Sequence, residues 1–178
     1  MRSEQLLLLA QFFNANLVNR KGFQLIMNSL QHMKYVAAVK PGALLDNATA
    51  TATAIDCRGY DYLTVIVTLG ATDIAMSALK LQQCSTSGGT YADITGATFD
   101  GGTGYGGATL ALPSATDDGQ VCVFHINMLA KEPFVKVVAT FGDGTVGGYI
   151  AASAVLARGK IAPTTSTGMA DGDVCIIG

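Results

Sequence analysis

Hydrophobic and polar residues alternate most clearly over residues 59–84, GYDYLTVIVTLGATDIAMSALKLQQC. Leu63, Val65, Val67 and Leu69 fall on one face, and Tyr60, Tyr62, Thr64, Ile66 and Thr68 on the other. That pattern predicts a long strand rich in β-branched and aromatic residues. A second strand follows, with Ser77, Leu79, Leu81 and Gln83 on one side and Met76, Ala78, Lys80 and Gln82 on the other. A tight connection joins the two as an opening hairpin. Residues 47–56, NATATATAID, alternate Ala with Thr or Ile, which predicts an edge or inter-subunit strand that another backbone can approach closely.

The same period returns downstream. Residues 91–99 predict a short strand broken at Gly96, and residues 109–112 a brief one before Pro113. Between them DGGTGYGG, residues 100–107, reads as a flexible loop. Residues 121–128 put Cys122, Phe124, Ile126 and Met128 on one face. Residues 134–141 turn Val135, Val137, Ala139 and Phe141 inward, and residues 149–156 align Ile150, Ala152, Ala154 and Leu156. Asp117-Asp118-Gly119 marks a turn, and Asp143-Gly144 has the chemistry of a hairpin turn. About eight short strands with no helix between them predict an all-β fold: a two-sheet sandwich, with a jelly roll as the expected arrangement.

The ends of the chain follow a different period. Ser3 caps a first predicted helix through Leu6, Leu9, Ala10 and Phe13; after Gly22 a second presents Phe23, Ile26, Met27, Leu30 and Met33 at helical spacing, ending at Lys40-Pro41-Gly42. Helices this short are marginal alone, and burying their large side chains is worth on the order of 10 kcal/mol. The arm therefore packs on something, either its own domain or a neighbouring subunit. From Pro163 the tail is small and polar until Val174-Cys175-Ile176-Ile177, an apolar terminal patch. The expected organisation is a helical arm over residues 1–45, a β-sandwich over 46–160 and an extended C-terminal tail over 161–178.

Composition sharpens this picture. Of 178 residues only 13% are charged against 49% hydrophobic, where free soluble domains average about 25% charged. Such a surface is expected to be covered, by copies of the chain or by partners. Residues 1–45 carry Arg2, Arg20, Lys21, Lys34 and Lys40 against Glu4 alone, a net +4, and the remainder carries −6. A basic arm on an acidic body suits docking onto something acidic, including a second copy. Those cations are too dispersed for a nucleic-acid site. No segment reaches the roughly 18 apolar residues of a membrane span. Leu6 to Leu9 is flanked by Glu4, Gln5, Gln11 and Asn14 without a cleavage site, so synthesis and assembly in the cytoplasm are expected.

Candidate chemistry is sparse. Cys57, Cys84, Cys122 and Cys175 have no C-x-x-C spacing, and His32 and His125 are the sole histidines, so neither zinc nor a disulfide scaffold is expected. Cys122 reads as a core residue, whereas Cys175 is placed to bridge to a neighbour. Gly102-x-Gly104-x-x-Gly107 matches a dinucleotide fingerprint in form, but the segment after it ends at Pro113 and cannot open the required helix. His125 reads as a half-buried structural residue of a strand. The expectation is no enzyme, no cofactor and no metal, with Leu6, Leu9, Phe13, Phe23, Ile26, Met27, Leu30, Cys175 and Ile176 as the candidate interaction residues.

The block GYDYLTVIVTLGATDIAMSALKLQQ, with YADITGATF, LPSATDDG and FVKVVATFGDGTVGGY, resembles small structural proteins of tailed bacteriophages and prophages. The match covers residues 55–158 and rests on strand and turn signatures: Gly59-Tyr60-Asp61, residues 69–73 (LGATD) and residues 112–118 (LPSATDD). The resemblance implies a virion component of β-sandwich type, in the role of a head decoration (cement) protein at the capsid surface. Its implied partners are the major capsid protein and further copies of itself, a trimer ranked ahead of a dimer. The alternative role is a tail, collar or spike module that binds host glycan or receptor.

Overall fold

The computed structural model describes residues 32–160 and 170–171. Two antiparallel sheets of four strands face each other across one apolar core. The first sheet runs in the order β1 (Lys34–Val39), β10 (Gly148–Gly159), β3 (Tyr60–Thr72) and β8 (Val121–Asn127). The second runs β2 (Ile55–Asp56), β9 (Phe134–Phe141), β4 (Met76–Cys84) and β5 (Ala92–Thr98). A small hairpin of β6 (Gly102–Thr103) and β7 (Thr109–Leu110) stands apart.

The period-two pattern places the core as the sequence predicts. Leu63, Val65, Val67 and Leu69 of β3, Val135, Val137, Ala139 and Phe141 of β9, and Ile150, Ala152, Ala154 and Leu156 of β10 are all buried. Cys122 and Phe124 of β8 join them, and the Phe99 and Phe124 rings meet edge to face at 5.1 Å. β4 departs from strict alternation. Its pairing with β9 shifts between Met76 and Ala78, so Met76 turns inward with Leu79 and Leu81 instead of opposing them, and Ser77 is left exposed. A bulge inserts one residue and moves everything beyond it to the other face.

Pairing overturns the two predicted hairpins. β3 pairs with β10 and β8 while β4 pairs with β9 and β5, so residues 73–75 carry the chain from one sheet to the other. Asp143-Gly144 likewise lies in the crossing from β9 to β10. The two crossings are stitched together: Asp73 accepts hydrogen bonds from the N–H groups of Thr145, Val146 and Gly147 at 2.7–2.8 Å. Gly142 N–H donates to the Ala75 carbonyl at 3.1 Å.

Two further segments differ from their sequence reading. Lys34 to Val39, assigned to the arm and in part to its second helix, form β1 and pair with β10. Tyr35, Val36, Ala37, Ala38 and Val39 are small, aromatic or β-branched, and an open strand edge of β10 gives them a ladder that a helix end lacks. Residues 47–56 are not one strand. Ala50 N–H bonds Ala139, Phe141 N–H bonds Ala48, and Thr53 N–H bonds Ala38, so the segment straps β9 to β1 and becomes regular as β2 only at its end. Residues 100–107 include β6 and a 3-10 turn at Tyr105–Gly107 before β7, and no helix follows the glycines.

Candidate interaction surface

The outer faces of the two sheets differ in chemistry. On the first sheet the register builds cross-strand rows: Tyr35, Val155, Thr64 and His125; Ala37, Ser153, Ile66 and Val123; Ala151, Thr68 and Val121; Ala157, Tyr62 and Asn127. None of these residues carries a formal charge with histidine neutral. Several are large and open to solvent: Val121 is 54% exposed, Val123 41% and Tyr35 39%. Charge gathers at the rim, where the Arg158 guanidinium lies 5.5 Å from the Tyr62 ring centroid and 3.9 Å from Asp61.

The second sheet is dressed for water. Lys80 Nζ meets Asp93 Oδ2 at 2.7 Å, and Gln82 Nε2 donates to Asp93 Oδ1 at 2.7 Å. Lys136 sits 4.6 Å from the Tyr91 ring centroid. Arg58 clasps Asp56 and covers the Phe134 ring at 5.2 Å. An uncharged centre inside a polar rim is the anatomy of an interface, and the first sheet alone has it.

The sheet edges differ in the same way. Along β1, Asp171 N–H donates to the Tyr35 carbonyl and Ala37 N–H donates to Asp171 Oδ2 at 3.0 Å. β2 is two residues long and the strap continues its side of β9. β5 carries Asp93 and is kinked at Gly96, whose φ is +80°. Short, bulged and charged edges resist pairing with another chain. β8 has none of these guards. It is seven residues long, uncharged, free of proline and unbroken in register with β3.

Beside β8 lies an open cleft of about 430 Å³, bounded by Val123 to Ile126, Thr98, Phe99, Thr103, Tyr105 and Leu110. His125 stands on its wall, exposed rather than half-buried as the sequence suggests, with Nδ1 3.1 Å from Thr64 Oγ1. Among the described residues its neighbours there are neutral, so the cleft wall offers hydrogen-bonding and apolar contact. Among the described residues no group of three or more His, Cys, Asp or Glu comes together.

Cys57, Cys84 and Cys122 are buried and free. Burial, reinforced by the charge of Asp56, pushes the Cys57 thiol up to about 12, and burial also raises Cys122. Thiols held protonated are poor nucleophiles, and Cys122 is the core residue its strand position implies. Leu6, Leu9, Phe13, Phe23, Ile26, Met27, Leu30, Cys175 and Ile176 lie outside the described residues, as do the predicted helices of the arm before residue 32. The β8 edge was open to sequence reasoning in one respect, its lack of charge. Which strand would be left at an edge was not.

Four carboxylates give the fold a pH dependence. Backbone N–H groups of Val146, Gly147 and Thr145 hold Asp73 below the ordinary carboxylate value, and the Ser114 N–H and hydroxyl do the same for Asp117. Hydrogen bonds from Arg58 lower Asp56, and those from Lys80 and Gln82 lower Asp93. A depressed folded pKa stabilises above the unfolded value, near 3.8, and that stabilisation is lost as pH falls through the folded one. Melting temperature is expected to be level from neutral pH to about 5 and to fall steeply below about 4. Thermal melts of Asp73→Asn across the same range should start lower and show a shallower acid slope; an unchanged slope would remove Asp73 from the account.

Comparison with known proteins finds no matching family model, curated protein or solved structure.

Proposed function

We propose that this chain is a non-enzymatic virion structural protein, a head decoration (cement) protein that binds the major capsid protein lattice and stabilises the head. The observation that carries the reading is the charge-free outer face of the first sheet, set against a charged second sheet. Such a face is costly to leave wet and gains by being covered. The resemblance of residues 55–158 to phage structural proteins supplies the setting. In this reading the partners are the capsid lattice and further copies of the chain, with no nucleic acid, membrane or cofactor. The protein is assembled in the host cytoplasm and resides at the capsid surface. The jelly-roll arrangement belongs to the same proposal; it is supported by the orders β1-β10-β3-β8 and β2-β9-β4-β5, in which consecutive strands β1 to β4 alternate between sheets.

Many identical weak contacts on one particle act together, so each needs only modest affinity. The apolar side chains of residues 1–31 and the Cys175-Ile176 patch remain the proposed attachment points. The rival reading, a glycan-binding module, draws on the fully exposed Tyr105 beside the cleft. Tyr91, the other loop tyrosine, is engaged by Lys136 and by the Ser87 carbonyl.

Copy number separates the two. On a stained gel of purified virions a cement protein should approach the abundance of the major capsid protein, whereas a receptor binder would be scarce. Removing residues 1–31, which spares β1, should leave a folded domain that no longer holds to heads; undiminished attachment would exclude the arm.

A further inference from the structure

We propose that the edge of β8 is a self-association site, at which a second copy pairs antiparallel about a two-fold axis and joins the two first sheets into one of eight strands. This deepens the self-association within the reading above and is independent of capsid binding.

The hydrogen bonds define the edge. Leu69 N–H bonds the Gln120 carbonyl, and Met128 N–H bonds the Asp61 carbonyl, one at each end of the β3–β8 ladder. In an antiparallel pair the bonded residues alternate, so Cys122, Phe124 and Ile126 direct their backbone groups to β3. Val121, Val123, His125 and Asn127 direct theirs away, and among the described residues nothing accepts or donates to them. Those are four N–H groups and four carbonyls in a row, on a strand without the guards carried by the other three edges.

A second copy is the occupant that this edge fits best. Antiparallel pairing can set Val121 against Asn127 of the second copy and Val123 against His125 of the second copy. Both edges are then satisfied at once, by one register that uses all four residues of each. A charged edge repels itself across a two-fold, and this one has no charge to repel. Pairing also covers part of Val121 and Val123, two of the most exposed apolar side chains on the sheet face. An isologous contact of this kind gives a dimer, where the sequence resemblance ranked a trimer first. Seven paired residues span about 23 Å, a contact smaller than a standard interface, so the dimer should be weak in dilute solution and favoured where copies are crowded.

Amide exchange and sedimentation of the full chain test this directly. In wild type the amides of Val121, Val123, His125 and Asn127 should gain protection as concentration rises from about 10 μM to 1 mM, in step with a monomer–dimer shift. Those of Cys122, Phe124 and Ile126 should be protected throughout. Val123→Lys should weaken the dimer by about ten-fold or more while keeping its melting temperature. His125→Pro, which deletes one free donor, should do the same. Ser153→Lys, in the middle of the sheet face, should leave the dimer intact. A wild type that stays monomeric to 1 mM, four amides indifferent to concentration, or a dimer broken by Ser153→Lys but not by Val123→Lys would each overturn the proposal. A dimer formed this way by a chain that does not bind heads would sink the capsid reading alone, and head binding by a strict monomer would sink the edge alone.

Discussion

Phe141→Ala is expected to lower the unfolding free energy by about 3–5 kcal/mol and the melting temperature by roughly 10 °C. Phe141 is the last inward residue of β9, completely buried and opposite Met76 in β4. Its ring lies against the backbone of Gly148, so close that a Cβ there would enter it. Its N–H donates to the Ala48 carbonyl at 3.0 Å and so ties the strap to the sheet. Removing the ring leaves a hole walled partly by glycine, which has no side chain to move into the space. The cost should therefore lie toward the upper end for a phenylalanine. Native domains have only about 5–15 kcal/mol in total, so this single change takes a large share. Urea denaturation of Phe141→Ala beside Phe141→Leu measures it; the leucine should cost under about 2 kcal/mol. A loss below about 1 kcal/mol in the alanine variant would mean that the ring does not seal the core as described.

Gly147→Ala is expected to cost about 3 kcal/mol or more, through backbone rather than volume. Gly147 has φ +92°, outside the range that side chains tolerate, and a Cβ would be driven into the Leu45 carbonyl. That carbonyl accepts from Gly148 N–H at 2.8 Å, and Leu45 N–H donates back to the Gly148 carbonyl at 2.9 Å. Gly147 N–H is one of the three that hold Asp73. One methyl group thus strains the turn, opens the strap and loosens the stitch between the two sheet crossings. Gly88→Ala is the matched control, since a Cβ at Gly88 meets nothing within 4 Å and its φ is not positive. It should be neutral or slightly stabilising, by up to about 1 kcal/mol. Equal melting curves for the two variants would refute the geometric argument.

Both expectations concern the end of the molecule where residues 73–75 and 142–147 carry the chain between sheets, and neither Phe141 nor Gly147 belongs to β8 or pairs with it. Weakening the core there should lower stability without altering which edge is open. Val123→Lys and His125→Pro should instead alter association and leave stability nearly unchanged. The two sets of variants therefore separate what holds the domain together from what it offers to a neighbour.

The sequence by itself determined where β3, β9 and β10 lie and which side of each is buried. Leu63 to Leu69, Val135 to Phe141 and Ile150 to Leu156 alternate with a period of two, and a strand that buries one face has no freedom in which residues it buries. The low charge was legible too, though not where it would matter. Only the tertiary structure decided which strands became neighbours. Asp73 to Ala75 and Asp143-Gly144 are as suited to a hairpin as to a crossing between sheets, because alternation within a strand is the same whichever partner it meets. The choice rests on non-local ladders such as β3 with β10 and β4 with β9, and on the Asp73 carboxylate that binds the two crossings. The same non-local choice drew Lys34 to Val39 out of the predicted arm and left β8 as the unguarded edge. Local pattern specifies faces; pairing across the whole chain specifies edges, and on this molecule the edge is where the proposed association lies.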